Sequence, residues 1–298
     1  MKISGFTYVR NSILLDFPII ESIKSALPLC DEFIVICGKS DDNTLELIEE
    51  IDSPKIRIIE TVWNIDKYSG GTIHSQQANI GLSECKGDWV LYLQADELIH
   101  EKDYTTILDA CKLYLENERV DGFLFSYKHF WGDYNHYQWI RKWYRREIRI
   151  VRNHIGVKVW GDAQGFRKGD EKLKVILLPC DIYHYGWVRD PNKMKQKIVV
   201  QDRIHHDDKW VDNKHPQKER EIPFEYGNLE HLKVFTGRHP SVMNNHINRM
   251  NWKPNKYIFP PYLHNRLGLR LVSWIEDNIL HFRIGEYRNY RMIGKYKS

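Results

Sequence analysis

The segment Trp89–Glu97, WVLYLQADE, ends an apolar run on two adjacent carboxylates. Trp89, Val90, Leu91, Tyr92 and Leu93 have the pattern of a strand covered on both faces. Asp96 and Glu97 follow where an α/β sheet opens its binding crevice. Two neighbouring carboxylates repel each other unless positive charge lies beside them, and a divalent cation would supply it. The competing reading of this stretch alone is a solvated turn, with Asp96 or Glu97 capping the next segment.

The elements around this tip alternate. Residues 2–9, 32–37, 55–60 and 89–93 read as strands, separated by helical patterns at 13–26, 45–51 and 73–85. Pro28 closes the first helix, and Asp42, Asn43 and Thr44 are placed to cap the second. Strand–helix alternation at this spacing predicts βαβ units and a mainly parallel sheet flanked by helices. A helix over 104–117 and strands at 121–130, 148–151 and 174–178 follow. Near Asp190 the composition turns polar. We expect a boundary there, with one unit over 1–190 and a mostly helical extension over 191–298. The tail from about Tyr262 alternates apolar residues with Arg, Lys and His, as interfacial helices and packing helices both do.

The 298 residues suffice for one large α/β domain with an accessory region. Ten Trp and 17 Tyr suit flat sugar or base faces as well as plain packing. A net charge of +4, spread along the chain, is too weak to indicate nucleic acid. The five scattered cysteines lack a C-x-x-C and read as free thiols of a reducing compartment. With no signal-peptide pattern and no long apolar span, the expected location is cytoplasmic, possible contact with the inner face of a membrane included.

The order of motifs resembles the GT-A glycosyltransferases, in particular the inverting family 2. Thr7, Tyr8, Val9, Arg10 and Asn11 follow the first strand. Ser40, Asp41, Asp42, Asn43 and Thr44 follow the second, and then come Asn79, Gly87-Asp88, and Gln94-Ala95-Asp96-Glu97. The resemblance covers residues 1 to about 190. It departs at Gln94, where the family's D-x-D begins with Asp, and at Gly38, where the base-reading Asp is expected. The base-reading role then falls to Asp41 or Asp42.

The resemblance implies a GT-A fold and transfer of a sugar, with inversion, from a nucleotide donor to a glycan or lipid-linked acceptor in polysaccharide assembly. It implies Mg²⁺ or Mn²⁺ as cofactor, held by Asp96 and a late histidine, His184, with Glu97 as a possible helper. Thr7, Val9, Arg10, Asn11, Asp41, Asp42, Gln77, Asn79, Gln94 and Arg189 are the expected donor-binding residues. Arg189 and Lys193 would meet the diphosphate. Asp162 is the expected general base, with Glu147 and Asp133 as lesser candidates. Trp131, Tyr134, Trp139 and Trp143 would form an acceptor wall, with Arg141, Arg145 and Arg146 meeting an anionic group. Two other classes stay open: a nucleotidyltransferase, against which the first loop TYVRNS speaks, and a non-catalytic binding protein, which Gln94 favours.

Overall fold

The computed structural model describes residues 1–64, 70–254 and 263–297. In chain order the first half comprises β1 (Ile3–Val9), α1 (Ile19–Ala26), β2 (Glu32–Gly38), α2 (Thr44–Glu49), β3 (Ile56–Thr61), α3 (Thr72–Ser83), β4 (Trp89–Tyr92), β5 (Glu97–Ile99) and α4 (Tyr104–Leu113). Next come β6 (Gly122–Trp131), β7 (His136–Gln138), β8 (Arg146–Arg152), β9 (Val157–Trp160), β10 (Gly165–Lys168), β11 (Glu171–Lys172) and β12 (Lys174–Trp187). The rest holds α5 (Pro191–His205), α6 (Asp208–Lys214), β13 (Lys233–Val234), α7 (Asn244–Asn248), α8 (Leu267–Ile275) and β14 (Arg291–Lys295).

The expected parallel core is present as β3-β2-β1-β4. β1, β2 and β4 are buried almost throughout because helices cover both faces, whereas the edge strand β3 is exposed at Arg57 and Glu60. In β1, Ile3 and Val9 pack with Ile19, Ile23 and Ile107 of α1 and α4. Phe6 and Tyr8, one residue out of phase, pack with Ala78 and Leu82 of α3. Beyond β4 the sheet becomes mixed: β8 runs antiparallel to β4, and β6 antiparallel to β8. β12 then runs parallel to β6 and takes β5 and β14 on its other contacts. A separate three-stranded sheet is ordered β11-β10-β9.

Some boundaries differ from expectation for physical reasons. α1 begins at Ile19, behind Pro18, rather than at Ile13. Asn11 and Asp16 adopt left-handed backbone (φ 56° and 55°), which turns the intervening chain instead of winding it. β12 does not stop at 178; it runs to Trp187 and carries His184 as a strand residue. Among the described residues after 190, helices are joined by two short strands, and these return to the main sheet, β13 on β7 and β14 on β12. The start of the apolar tail near Tyr262 lies outside the described residues. Among the described residues, no helix is long and apolar enough to cross a membrane.

Candidate active site

The acidic tip sits between β4 and β5, and the pairing of β5 with β12 brings His184 opposite Glu97. The two carboxylates do different work. Glu97 is fully buried and paired fork-to-fork with Arg149, at 2.7 Å for both bonds. Tyr127 Oη (2.8 Å) and the Gln94 amide (3.1 Å) also donate to it. Its oxygens are thus committed, so the expectation that Glu97 helps hold a cation is corrected. Glu97 instead fixes the tip from behind.

Asp96 faces the opposite way. Its Oδ2 lies 3.3 Å from Lys197 Nζ and 3.8 Å from the Arg189 guanidinium. Burial pushes this carboxyl up, but the surrounding cations, Lys197 foremost, outweigh it and hold it at about 2. Burial and the neighbouring Arg189 push Lys197 down to about 7, against the pull of Asp96. Lys197 also donates to Gly186 O at 2.7 Å.

On the other oxygen, His184 Nε2 stands 3.6 Å from Asp96 Oδ1. Behind it, His184 Nδ1 meets His129 Nδ1 at 2.9 Å, and His129 Nε2 meets Tyr144 O at 2.8 Å. The tautomers follow from this chain. A carbonyl only accepts, so His129 Nε2 carries the proton and its Nδ1 is an acceptor. His184 must then donate through Nδ1, which leaves a lone pair on Nε2 when the ring is neutral. Burial lowers the proton affinity of His184, against the pull of Asp96 and Glu97. A lone pair and a carboxylate oxygen thus converge on one point, an arrangement that fits a divalent cation. Among the described residues there is no group of three or more His, Cys, Asp or Glu side chains suited to a metal. Two protein ligands suit a magnesium-type ion that takes the rest from phosphate and water.

These groups open into a cavity of about 950 Å³. Of the residues expected from sequence, Val9, Arg10, Asn11, Asp41, Gln94, Asp96, Asp162 and His184 line it. Asn11 and Asp41 lock together, Asn11 Nδ2 to Asp41 Oδ2 at 2.9 Å and the Asp41 amide to Asn11 Oδ1 at 2.8 Å. Arg10 reaches the same carboxylate at 3.3 Å. Trp63 and His74 complete this end beside Tyr8. The indole Nε1 of Trp63 and Nδ1 of His74 are buried there without a hydrogen-bond partner among the described residues. Trp63 lies across Gly38, where a Cβ would stand 2.4 Å from its Nε1.

Other expected residues lie off the cavity. Asp42 caps its own turn, accepting from the Leu14 amide (2.7 Å) and the Thr44 amide (3.1 Å). Asn79 holds the backbone of Val159 through two 2.9 Å bonds. Gln77 accepts from Thr61 Oγ1 at 2.6 Å, and Thr7 is buried within β1. Arg189 is fully buried; it donates to the carbonyls of Leu15, Asp16 and Gly186 and backs Asp96 from beneath. Lys193 reaches Ile13 O instead. Lys197, one helical turn on, is the cavity-lining cation that meets Asp96, and it was not among the residues expected from sequence. Its signal was its place beside Met194 and Ile198 on the inward face of α5.

Asp162 stands on the loop joining β9 to β10. Gly161 and Ala163 flank it at φ 67°, and the Ala163 backbone stores strain that a side chain normally avoids. Tyr92 Oη (3.3 Å) and Gln94 Nε2 (3.5 Å) both donate to Ala163 O, and Arg149 donates to Gln164 O at 3.1 Å. The acidic tip therefore grips this loop and turns Asp162 to the cavity. Its carboxylate takes no hydrogen bond or ion pair among the described residues. The lesser candidates are engaged or off the cavity: Asp133 pairs with His136 at 2.8 Å, and burial pushes Glu147 up to about 8, with Arg149 opposing and Glu97 and Asp162 adding.

On the far wall, Trp131, Trp143 and Trp187 line the cavity, whereas Trp139 donates to His231 O and Tyr134 packs against Tyr185 and His239. Arg141 pairs with Glu276 (3.1 Å), and Arg145 with Glu286 (3.2 Å), so their charge is spent inside the protein.

A parallel α/β core, an acidic tip after its fourth strand and a cavity beside that tip define a GT-A fold. The chain belongs to glycosyl transferase family 2, whose model matches residues 18–174. Among solved structures, that of S. aureus TarS 1–349 with UDP-GlcNAc is 15% identical, with TM-score 0.40, covering 68% of this chain and 66% of that one. The mannosyltransferase from Pyrobaculum calidifontis with GDP-Man and Mn²⁺ is 20% identical, with TM-score 0.31, covering 41% and 34%. The chain thus spans less than two thirds of the length of these proteins. No curated protein matches it.

Proposed function

We propose that the chain transfers a glycosyl residue, with inversion, from a nucleotide sugar to a hydroxyl of a glycan or lipid-linked acceptor in polysaccharide assembly. The observation that carries this reading is the convergence of Asp96, His184, Lys197 and Asp162 on one cavity whose other end is bordered by Arg10, Asn11 and Asp41. The donor nucleotide lies along Val9–Asn11 and Asp41, and its diphosphate meets Lys197. Asp96 and His184 would hold Mg²⁺ or Mn²⁺, which would neutralise charge on the departing diphosphate. Asp162 accepts the proton of the acceptor hydroxyl. With a boundary near Asp190, the second unit is not a bystander, since α5 delivers Lys197.

Thermal-shift titration with UDP and GDP, each with and without Mn²⁺, tests donor binding. A nucleotide at a hundred times its Kd stabilises the fold by about 2.7 kcal/mol. One nucleoside diphosphate should raise the midpoint, and Mn²⁺ should enlarge that rise. No shift with any nucleoside diphosphate contradicts the proposal.

The histidine chain gives a second expectation. His129→Phe removes the acceptor that fixes the His184 tautomer, so Mn²⁺ affinity should fall roughly 10- to 100-fold. The unpaired Nδ1–H should also cost about 1–3 kcal/mol of stability. Calorimetric titration of Mn²⁺ into the folded variant reads the first effect; an unchanged affinity would show that His129 does not set the ligand.

A further inference from the structure

We propose that the surface formed by α8 and the chain that follows it docks on an anionic lipid bilayer. This inference stands independently of the transfer reaction. Leu267, Leu271 and Trp274 recur at i, i+4 and i+7 of α8 and share one face. They are 72%, 56% and 51% exposed. Ile279, Phe282 and Ile284 continue the apolar surface at 50% exposure or more. Scattered exposed apolar residues are ordinary, but this many within eighteen positions mark an interaction surface.

The segment is anchored, so its exposed side is fixed. Ser273, Glu276 and Arg283 turn inward: Ser273 Oγ accepts from the Arg141 amide (2.8 Å), and Arg283 donates to Trp143 O and Trp139 O. Trp143 also lines the cavity, so the apolar surface lies one layer of chain from the acceptor wall.

Charge selects the occupant. Residues 264–297 contain three acids, Glu276, Asp277 and Glu286, and each is paired with an arginine. The exposed residues of this segment include, besides the apolar groups, the cations Arg266, Arg291 and Lys295. A second copy meeting this segment across a two-fold axis would bring its cations together, the segment's own acids being already paired. An anionic interface satisfies both halves of the composition, with aromatic and aliphatic side chains entering the headgroup boundary and cations meeting phosphate.

Co-sedimentation of the full chain with phosphatidylcholine vesicles, with and without phosphatidylglycerol, tests this. Binding should require phosphatidylglycerol and weaken as salt rises. Arg266→Gln should weaken it about fivefold. Leu271→Ser with Trp274→Ser should weaken it at least about tenfold, with an unchanged thermal midpoint and unchanged nucleotide response. Absence of vesicle binding, binding that survives the double variant, or a dimer that the double variant splits would each overturn the proposal.

Discussion

Asp162→Asn should lower the rate of transfer by roughly 10²- to 10⁴-fold while leaving donor affinity nearly unchanged. The substitution keeps the shape of the side chain and removes only its capacity to take a proton. The loop should survive it, because its geometry is set from elsewhere: Tyr92 and Gln94 hold Ala163 O, and Arg149 holds Gln164 O. The two left-handed residues flanking Asp162 are independent of its charge. Steady-state kinetics separated from nucleotide binding reads the result. A loss confined to donor affinity would remove Asp162 from the role of base and return it to a turn residue.

Arg149→Ala should destabilise the protein by about 3–5 kcal/mol, because it strands the Glu97 carboxylate in a site that water does not reach. Both side chains are fully buried, and the pair links β8 to the acidic tip across 52 residues of sequence. The midpoint of thermal unfolding should fall by roughly 10 °C. Replacing both members, Glu97→Gln with Arg149→Met, should recover part of that loss, since no charge is then left unpaired. Recovery in the double variant separates the stranded charge from simple loss of packing; equal losses in the single and double variants would contradict it.

The parallel half of the sheet was legible because its signals are local. Strands covered on both faces read as unbroken apolar runs, and the turn after β2 uses Asp42 and Thr44 as caps within a few residues. The division of labour in the tip was not legible, because the partner of Glu97 is Arg149, brought there only by the pairing of β8 with β4. β12 was read short because Pro179, Asp181 and His184 interrupt its apolar pattern, yet the strand runs through them against β6 and β5. Lys193 and Lys197 lie one turn apart in a polar helix, and the place of Lys197 beside Met194 and Ile198 was the one local hint. The direction from which α5 packs then sets Lys197 on Asp96 and Lys193 on a backbone carbonyl.

If Asp96 anchors sugar transfer from a nucleotide donor, product analysis after incubation of the wild type and Asp96→Asn with UDP- and GDP-sugars and Mn²⁺ will separate the two proteins. The wild type should yield free nucleoside diphosphate and a new glycoside, and the variant should react slower by several kcal/mol of lost charge stabilisation, on the order of a thousandfold. Release of pyrophosphate, or a variant as active as the wild type, would contradict it.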